Sequence, residues 1–83
     1  MVPLGIKYIP HALERMKERG ISRELVEEAL QSPDDTTEGY LGRKVAQKRI
    51  NGKLIRVIYE EIENEVVVIT AYVTSKVKKY GGE

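Results

Sequence analysis

The spacing of apolar residues changes near Thr36, and this change constrains the fold of the chain more than any other feature. Before Thr36, apolar residues recur about every 3.6 residues, as in helices with one buried side. After Thr36 they alternate, as in strands with one buried face. We therefore predict an α+β fold in which two N-terminal helices pack on one face of an antiparallel sheet of three to four strands. With 83 residues, the chain is predicted to form a single domain over residues 1–83, with its core in residues 8–74.

Residues with strong positional preferences mark the ends of the two helices. Pro10 suits the first position of a helix, where its missing N–H group costs nothing. Gly20 suits the left-handed residue that ends this helix, and Ser22 is a favourable N-cap for the next one. The turn-forming residues 32–35 then end the second helix.

Asn51-Gly52 is the clearest turn signal in the sequence, because both central residues of a tight hairpin turn need positive φ angles. It predicts a hairpin between strands over residues 45–50 and 53–61. Residues 36–42 are expected to add a short edge strand. An edge strand leaves backbone groups open to another chain, so a homodimer through a strand edge is one expectation.

The last predicted strand covers residues 65–74 and follows a turn at residues 63–64. Strict alternation divides it into an apolar face and a mixed face. The apolar face, expected to pack on the helices, contains Val67, Ile69, Ala71 and Val73. Residues 75–83 are expected to form a frayed tail or an edge segment.

Basic residues are concentrated in one segment, although the net charge of the chain is only +1. Between Gly39 and Tyr59 there is no acidic residue. A local basic patch attracts a polyanion even on a nearly neutral protein. The alternative is a solvated sheet face whose charges discourage aggregation. The six basic residues of this segment are Arg43, Lys44, Lys48, Arg49, Lys53 and Arg56.

Several classes of protein are excluded by composition. The chain has no cysteine, so it has neither a disulfide framework nor a cysteine-based zinc site, and it suits a reducing cytoplasm. No apolar run approaches the ~20 residues of a membrane span. With one histidine and no phosphate-binding or dinucleotide-binding glycine motif, neither a metal nor a cofactor is predicted.

The first predicted helix has a stripe of three residues spaced four apart, His11, Arg15 and Arg19. Imidazole readily gains or loses a proton near neutral pH, which suits His11 to general acid–base chemistry. Two arginines one turn apart repel each other unless they share an anion or pair with carboxylates. The alternative is structural, with His11 packing at the helix start and both arginines in ion pairs.

A second group of candidate residues lies on the predicted strands. Tyr72 offers a ring on which a base can stack, and Arg56 or Arg49 offers a guanidinium for a phosphate. Thr70 lies on the same side of the last strand as Tyr72, and Lys48 belongs to the basic segment. The alternative is a polar solvent face, since Tyr and Thr are good strand formers.

The run His-Ala-x-x-Arg-Met-x-x-Arg-Gly-Ile-Ser, from His11 to Ser22, resembles a family of small prokaryotic proteins. That family carries a domain of unknown function and is often grouped with RelE-, ParE- and BrnT-type toxins. Residues 54–60 and 66–72 also resemble its closing strands. Together these segments cover most of residues 8–74. The resemblance implies the helix–helix–antiparallel-sheet fold of RelE-like ribonucleases.

The resemblance also implies a function, for which an RNA-directed protein acting as a metal-independent endoribonuclease toxin is the leading hypothesis. A toxin of this kind is usually neutralised by a cognate antitoxin protein. The alternatives are a non-catalytic module that binds RNA or protein, and a ParE-like inhibitor of a protein target. The net charge of +1 departs from the strongly basic character of RelE-like toxins. The implied catalytic residues are His11, Arg15, Arg56 and Tyr72, and the implied RNA-binding residues are Arg19, Lys48, Arg49 and Thr70.

Overall fold

A five-stranded sheet with two helices against one face forms the domain. This computed structural model describes residues 5–75. The strand order across the sheet is β1-β5-β4-β3-β2. The predicted tail beyond Ser75 lies outside the described residues. In chain order, the elements are β1 (Gly5–Tyr8), α1 (Pro10–Arg19), α2 (Arg23–Gln31), β2 (Asp35–Glu38), β3 (Lys44–Ile50), β4 (Lys53–Ile62) and β5 (Glu65–Thr74).

The prediction of an antiparallel sheet with three to four strands is wrong, because an additional strand precedes α1. β1 pairs with β5 in parallel, with Ile6 opposite Val66 and Tyr8 opposite Val68, so the sheet is mixed. The other neighbouring strands are antiparallel. Only four residues form β1, and its partner lies about 60 residues later in the chain. A pairing of this kind leaves no local turn signal in the sequence.

The predicted helix boundaries are confirmed. Pro10 occupies the first turn of α1, and Gly20 ends that helix with a φ of 69°. The Oγ atom of Ser22 accepts a hydrogen bond from the backbone N–H of Leu25, at 3.1 Å, and so caps α2. These local interactions satisfy backbone groups that have no partner within the helices.

Two tight turns connect the last three strands. Asn51 and Gly52 have φ angles of 49° and 79°, as predicted for the hairpin turn. Glu63 and Asn64 also have positive φ angles, of 52° and 69°. The predicted edge strand over residues 36–42 is shorter than expected. Asp35–Glu38 forms β2, and a 3-10 turn at Tyr40–Gly42 leads into β3.

Both helices cover the same face of the sheet. We call the face that packs on α1 and α2 the proximal face, and the opposite face the distal face. The buried core lies between the helices and the proximal face. It contains Ala12, Met16, Ile21, Val26, Ala29, Ala46, Ile55, Val57, Tyr59, Val66, Val68 and Ala71.

A bulge in β5 changes which side chains face the helices. Tyr59 pairs with Val68 and Ile58 pairs with Thr70, so Ile69 is an extra residue between them. Val68 is therefore buried on the proximal face, together with Ala71 three residues later. The predicted proximal positions of Val67 and Ile69 are wrong, because strict alternation holds only along a strand without a bulge. Val73 pairs with the core residue Ile55, so it lies on the proximal face as predicted, where it is 39% exposed.

Tyr8 joins β1 to α2. Its hydroxyl group donates a hydrogen bond to Glu27 Oε2 at 3.0 Å, and the Arg23 guanidinium carbon lies 5.3 Å from the centre of its ring. Burial, followed by the hydrogen bond to Glu27 and its negative charge, raises the pKa of Tyr8 to about 12. The neutral phenol is therefore favoured in the folded protein.

Replacing Tyr8 with phenylalanine is expected to lower the free energy of unfolding by about 1 kcal/mol at neutral pH, through loss of this hydrogen bond. The raised pKa of Tyr8 adds stability that is complete below its unfolded value of about 10. This stability is lost as pH rises toward about 12. Urea denaturation at several pH values should show a shallower loss of stability above pH ~10 in the variant than in the wild type. Identical alkaline slopes would contradict the assignment.

Candidate functional site

A row of polar side chains crosses the distal face, one from each of four neighbouring strands. Asp35 pairs with Gln47, Gln47 with Arg56, and Arg56 with Tyr72. Gln47 Nε2 donates a hydrogen bond to Asp35 Oδ2 at 3.5 Å. The Arg56 guanidinium carbon lies 5.7 Å from the centre of the Tyr72 ring, within the range of a cation–π contact. The row therefore places a cation beside an aromatic ring in the middle of the sheet.

Two further predicted site residues flank this row on the distal face. Thr70 pairs with Ile58, and Arg49 pairs with Leu54, so both side chains lie on the face of Arg56. Arg49 is exposed and Thr70 is half-buried. Arg49 therefore adds an accessible positive charge one row away from Arg56.

Lys48 is separated from this group by the alternation of β3. It pairs with the core residue Ile55, and its Nζ atom donates a hydrogen bond to the carbonyl oxygen of Ser32 at 3.0 Å. Ser32 is the C-cap residue of α2. A positive charge there stabilises the negative end of the helix dipole, so the described contact of Lys48 is structural.

His11 and Arg15 form a pair on the exposed side of α1. Arg15 Nε donates a hydrogen bond to His11 Nε2 at 3.3 Å, and Arg15 Nη1 contacts Glu18 Oε1 at 3.1 Å. Glu18 thus partly balances the charge of Arg15, in agreement with the ion-pair alternative for the helical stripe. The His11 side chain is exposed to solvent.

Arg19 joins the end of α1 to β5. Its Nη1 atom donates hydrogen bonds to the carbonyl oxygen of Ala71 at 2.9 Å and to Thr70 Oγ1 at 3.5 Å. Thr70 lies on the distal face, next to the row that contains Tyr72. Arg19 therefore connects the helical stripe of α1 to Thr70 on the distal face.

The four predicted catalytic residues form two pairs rather than one cluster. His11 and Arg15 lie on α1, which packs on the proximal face, whereas Arg56 and Tyr72 lie on the distal face. Sequence reasoning did not include Asp35 in the site. The only signal for Asp35 is its position opposite Gln47, which depends on the register of two strands.

The family model described as "Domain of unknown function (DUF4258)" matches residues 8–73. The chain belongs to this family. The match extends from the last residue of β1 into β5, and it includes both pairs of predicted catalytic residues. No curated protein and no solved structure matches the chain.

The basic segment of this DUF4258 domain is partly balanced by acidic residues of β4. Arg43 Nε lies 3.2 Å from Glu60 Oε2, and Lys44 Nζ lies 2.6 Å from Glu61 Oε1. At the opposite end of the β3–β4 hairpin, Arg49 and Lys53 are exposed. The positive charge of the segment is therefore concentrated near the hairpin turn and Arg56.

Two other features of the described part of the DUF4258 domain bear on its chemistry. Within residues 5–75, no group of three or more His, Asp or Glu side chains is arranged to hold a metal ion. Among the same residues, neither helix has the length and apolar character needed to cross a membrane.

Proposed function

We propose that this DUF4258 domain is an RNA-directed protein of the RelE/BrnT kind and acts as a metal-independent endoribonuclease. The contact between Arg56 and Tyr72 on the distal face carries this proposal. A tyrosine ring stacks on an unpaired base, and a guanidinium binds a phosphate through two parallel hydrogen bonds. Exposed Arg49 supplies a further phosphate contact on the same face.

The proposed reaction is attack by a ribose 2′-OH group on the adjacent phosphate. A bond forms between the 2′-oxygen and phosphorus, and the bond from phosphorus to the 5′-oxygen breaks. His11 Nε2 exchanges its hydrogen bond from Arg15 Nε for the 2′-OH group and takes its proton, and a water molecule supplies a proton to the leaving 5′-oxygen. Arg15, next to His11, offsets the negative charge that develops on the phosphoryl oxygens. Arg56 and Tyr72 bind a neighbouring nucleotide of the same RNA on the distal face, through its phosphate and its base.

This assignment requires the RNA to extend from the distal face around β5 to α1. Two observations support such a path. Arg19 bridges α1 and β5 at Ala71 and Thr70, and β1 pairs with β5 only along Glu65–Val68 in the described part of the chain. The stretch of β5 that follows Val68 therefore lies between the two pairs of candidate residues.

The test is incubation of wild-type protein and a His11→Ala variant with labelled structured RNA and with total RNA, in the presence of EDTA. We expect the wild type to cut the RNA, and the variant to cut it at least about 100-fold more slowly. A Glu14→Ala variant is the matched control, because Glu14 is an exposed residue of the same helix outside the proposed site. Undiminished cutting by His11→Ala would remove His11 from the mechanism.

A second candidate function is a non-catalytic RNA-binding module. The separation of His11 and Arg15 from Arg56 and Tyr72 favours it. In that case RNA shifts in a gel with wild-type protein but stays intact, and Arg49→Glu weakens binding. The salt dependence of binding would also become shallower by about one unit in this variant, because one phosphate contact is lost. A protein that neither binds nor cuts RNA would favour a ParE-like protein target instead.

A further inference from the structure

We propose that the outer edge of β2 and the cavity beside it bind an extended, basic segment of a partner protein by strand addition. The segment would pair with β2, and one of its basic side chains would enter the cavity. This proposal is independent of the RNA proposal, because it uses a different edge of the domain and opposite charges.

The outer edge of β2 has no strand partner among residues 5–75. β2 is the last strand at that end of the described sheet, and all four of its residues are exposed. The N–H group of Gly39 donates to the carbonyl oxygen of Arg43, so β2 pairs with β3 through residues 35, 37 and 39. Alternation then directs the backbone groups of Thr36 and Glu38 outward, where an added strand would bind.

A cavity of about 220 Å³ lies between the C-terminal end of α2 and the sheet. Its lining combines the apolar residues Leu30, Pro33 and Val66 and the ring of Tyr59 with the polar residues Gln31, Thr36 and Glu61. Small-molecule sites usually have about 300–1,000 Å³, whereas a cavity of ~150 Å³ holds a benzene ring. This cavity therefore suits one side chain of a partner better than a free ligand, and the Glu61 carboxylate in its wall favours a lysine or arginine.

Thr36 lies both on the edge strand β2 and in the wall of the cavity. Its backbone groups point outward from the sheet edge, and its side chain lies on the proximal face, opposite Ala46. Side chains of an added strand alternate between faces in the same way. A residue that pairs beside Thr36 would therefore place its side chain on the proximal face, next to the cavity wall that Thr36 forms.

The negative charge of the β2 edge favours a basic partner. Asp35 and Glu38 are exposed on β2, and Asp34 directly precedes it. A second copy of β2 would bring a second set of these carboxylates alongside the first, which destabilises pairing. RNA, as a polyanion, is disfavoured for the same reason. An extended basic peptide complements both the acidic edge and the Glu61 carboxylate in the cavity wall.

The probe is the acetylated, amidated peptide Lys-Val-Lys-Leu-Lys-Val-Lys, titrated into the full-length protein in a calorimeter without RNA. A second peptide with glutamate in place of lysine keeps the apolar positions and reverses the charge. We expect the basic peptide to bind, and the acidic one to bind at least about tenfold more weakly. Absence of binding by the basic peptide up to about 1 mM would overturn the proposal.

Two pairs of variants locate the binding site. Thr36→Trp fills the cavity and is expected to weaken peptide binding about tenfold or more, whereas Thr37→Trp, directed to the distal face, leaves it unchanged. Glu38→Lys is expected to weaken binding by a similar factor, with Glu14→Lys on α1 as the control for charge. Thermal melts show whether each variant folds. If Thr36→Trp does not fold, the comparison of Glu38→Lys, a surface change, with Glu14→Lys decides the test. Equal affinities within either folded pair would overturn the proposal.

Discussion

Replacing Arg56 with alanine is expected to reduce RNA cleavage at limiting RNA concentrations by a factor of about 10–100, through weaker RNA binding. Arg56 is the residue of the distal row that combines a fixed positive charge with an aromatic neighbour, at 5.7 Å from the Tyr72 ring centre. Removing it takes away a charged phosphate contact. It also removes the cation that packs against the stacking ring.

The Arg56→Lys variant separates charge from shape. Lysine keeps the positive charge but lacks the planar donor pair that binds two phosphate oxygens together. We therefore expect an intermediate loss of cleavage. Arg49→Ala is the matched control, because Arg49 is an exposed arginine on the same face but outside the row. It should weaken RNA binding modestly and leave the cleavage step intact. Full activity and unchanged RNA affinity in folded Arg56→Ala would rule out the distal row as part of the RNA-binding surface.

The largest expected effect on stability is that of Ile55→Ala. Ile55 is fully buried near the start of β4 and is part of the core beneath the helices. Truncating a buried isoleucine to alanine usually costs about 2–5 kcal/mol, through lost transfer free energy and the cavity that remains. At ~0.05–0.15 kcal/mol per residue, a domain of this size has about 4–12 kcal/mol to lose. The variant is therefore expected to be marginally folded.

Ile62→Ala provides the control for this experiment, because it makes the same chemical change at the end of the same strand. Ile62 is 49% exposed, so its truncation should change the free energy of unfolding by about 0.5 kcal/mol or less. Urea denaturation of both variants measures the difference directly. Similar midpoints for the two variants would show that β4 does not pack as described.

The three residues of the helical stripe do not share one set of contacts. His11, Arg15 and Arg19 are regularly spaced on one helix, which suggests a shared role. The structure assigns them different contacts: His11 and Arg15 contact each other, whereas Arg19 binds Ala71 and Thr70 of β5. Arg19 is therefore as well explained by anchoring α1 to the sheet as by contact with RNA.

The sequence by itself determined the local structure of this protein. Pro10, Gly20 and Ser22 set the helix boundaries, and Asn51-Gly52 set the hairpin, because each of these residues prefers a backbone conformation or cap that depends only on its neighbours in the chain. The two helices followed by a hairpin and a last strand were predictable for the same reason.

Only the tertiary structure decided how these elements combine. The parallel pairing of β1 with β5, the bulge at Ile69 and the separation of the candidate residues between two surfaces all depend on contacts between distant segments. Strand register across a sheet is set by the packing of one whole face, and one extra residue reverses the direction of the side chains beyond it. The alternation read from β5 alone could not reveal that extra residue, because only its pairing with β4 makes Ile69 supernumerary.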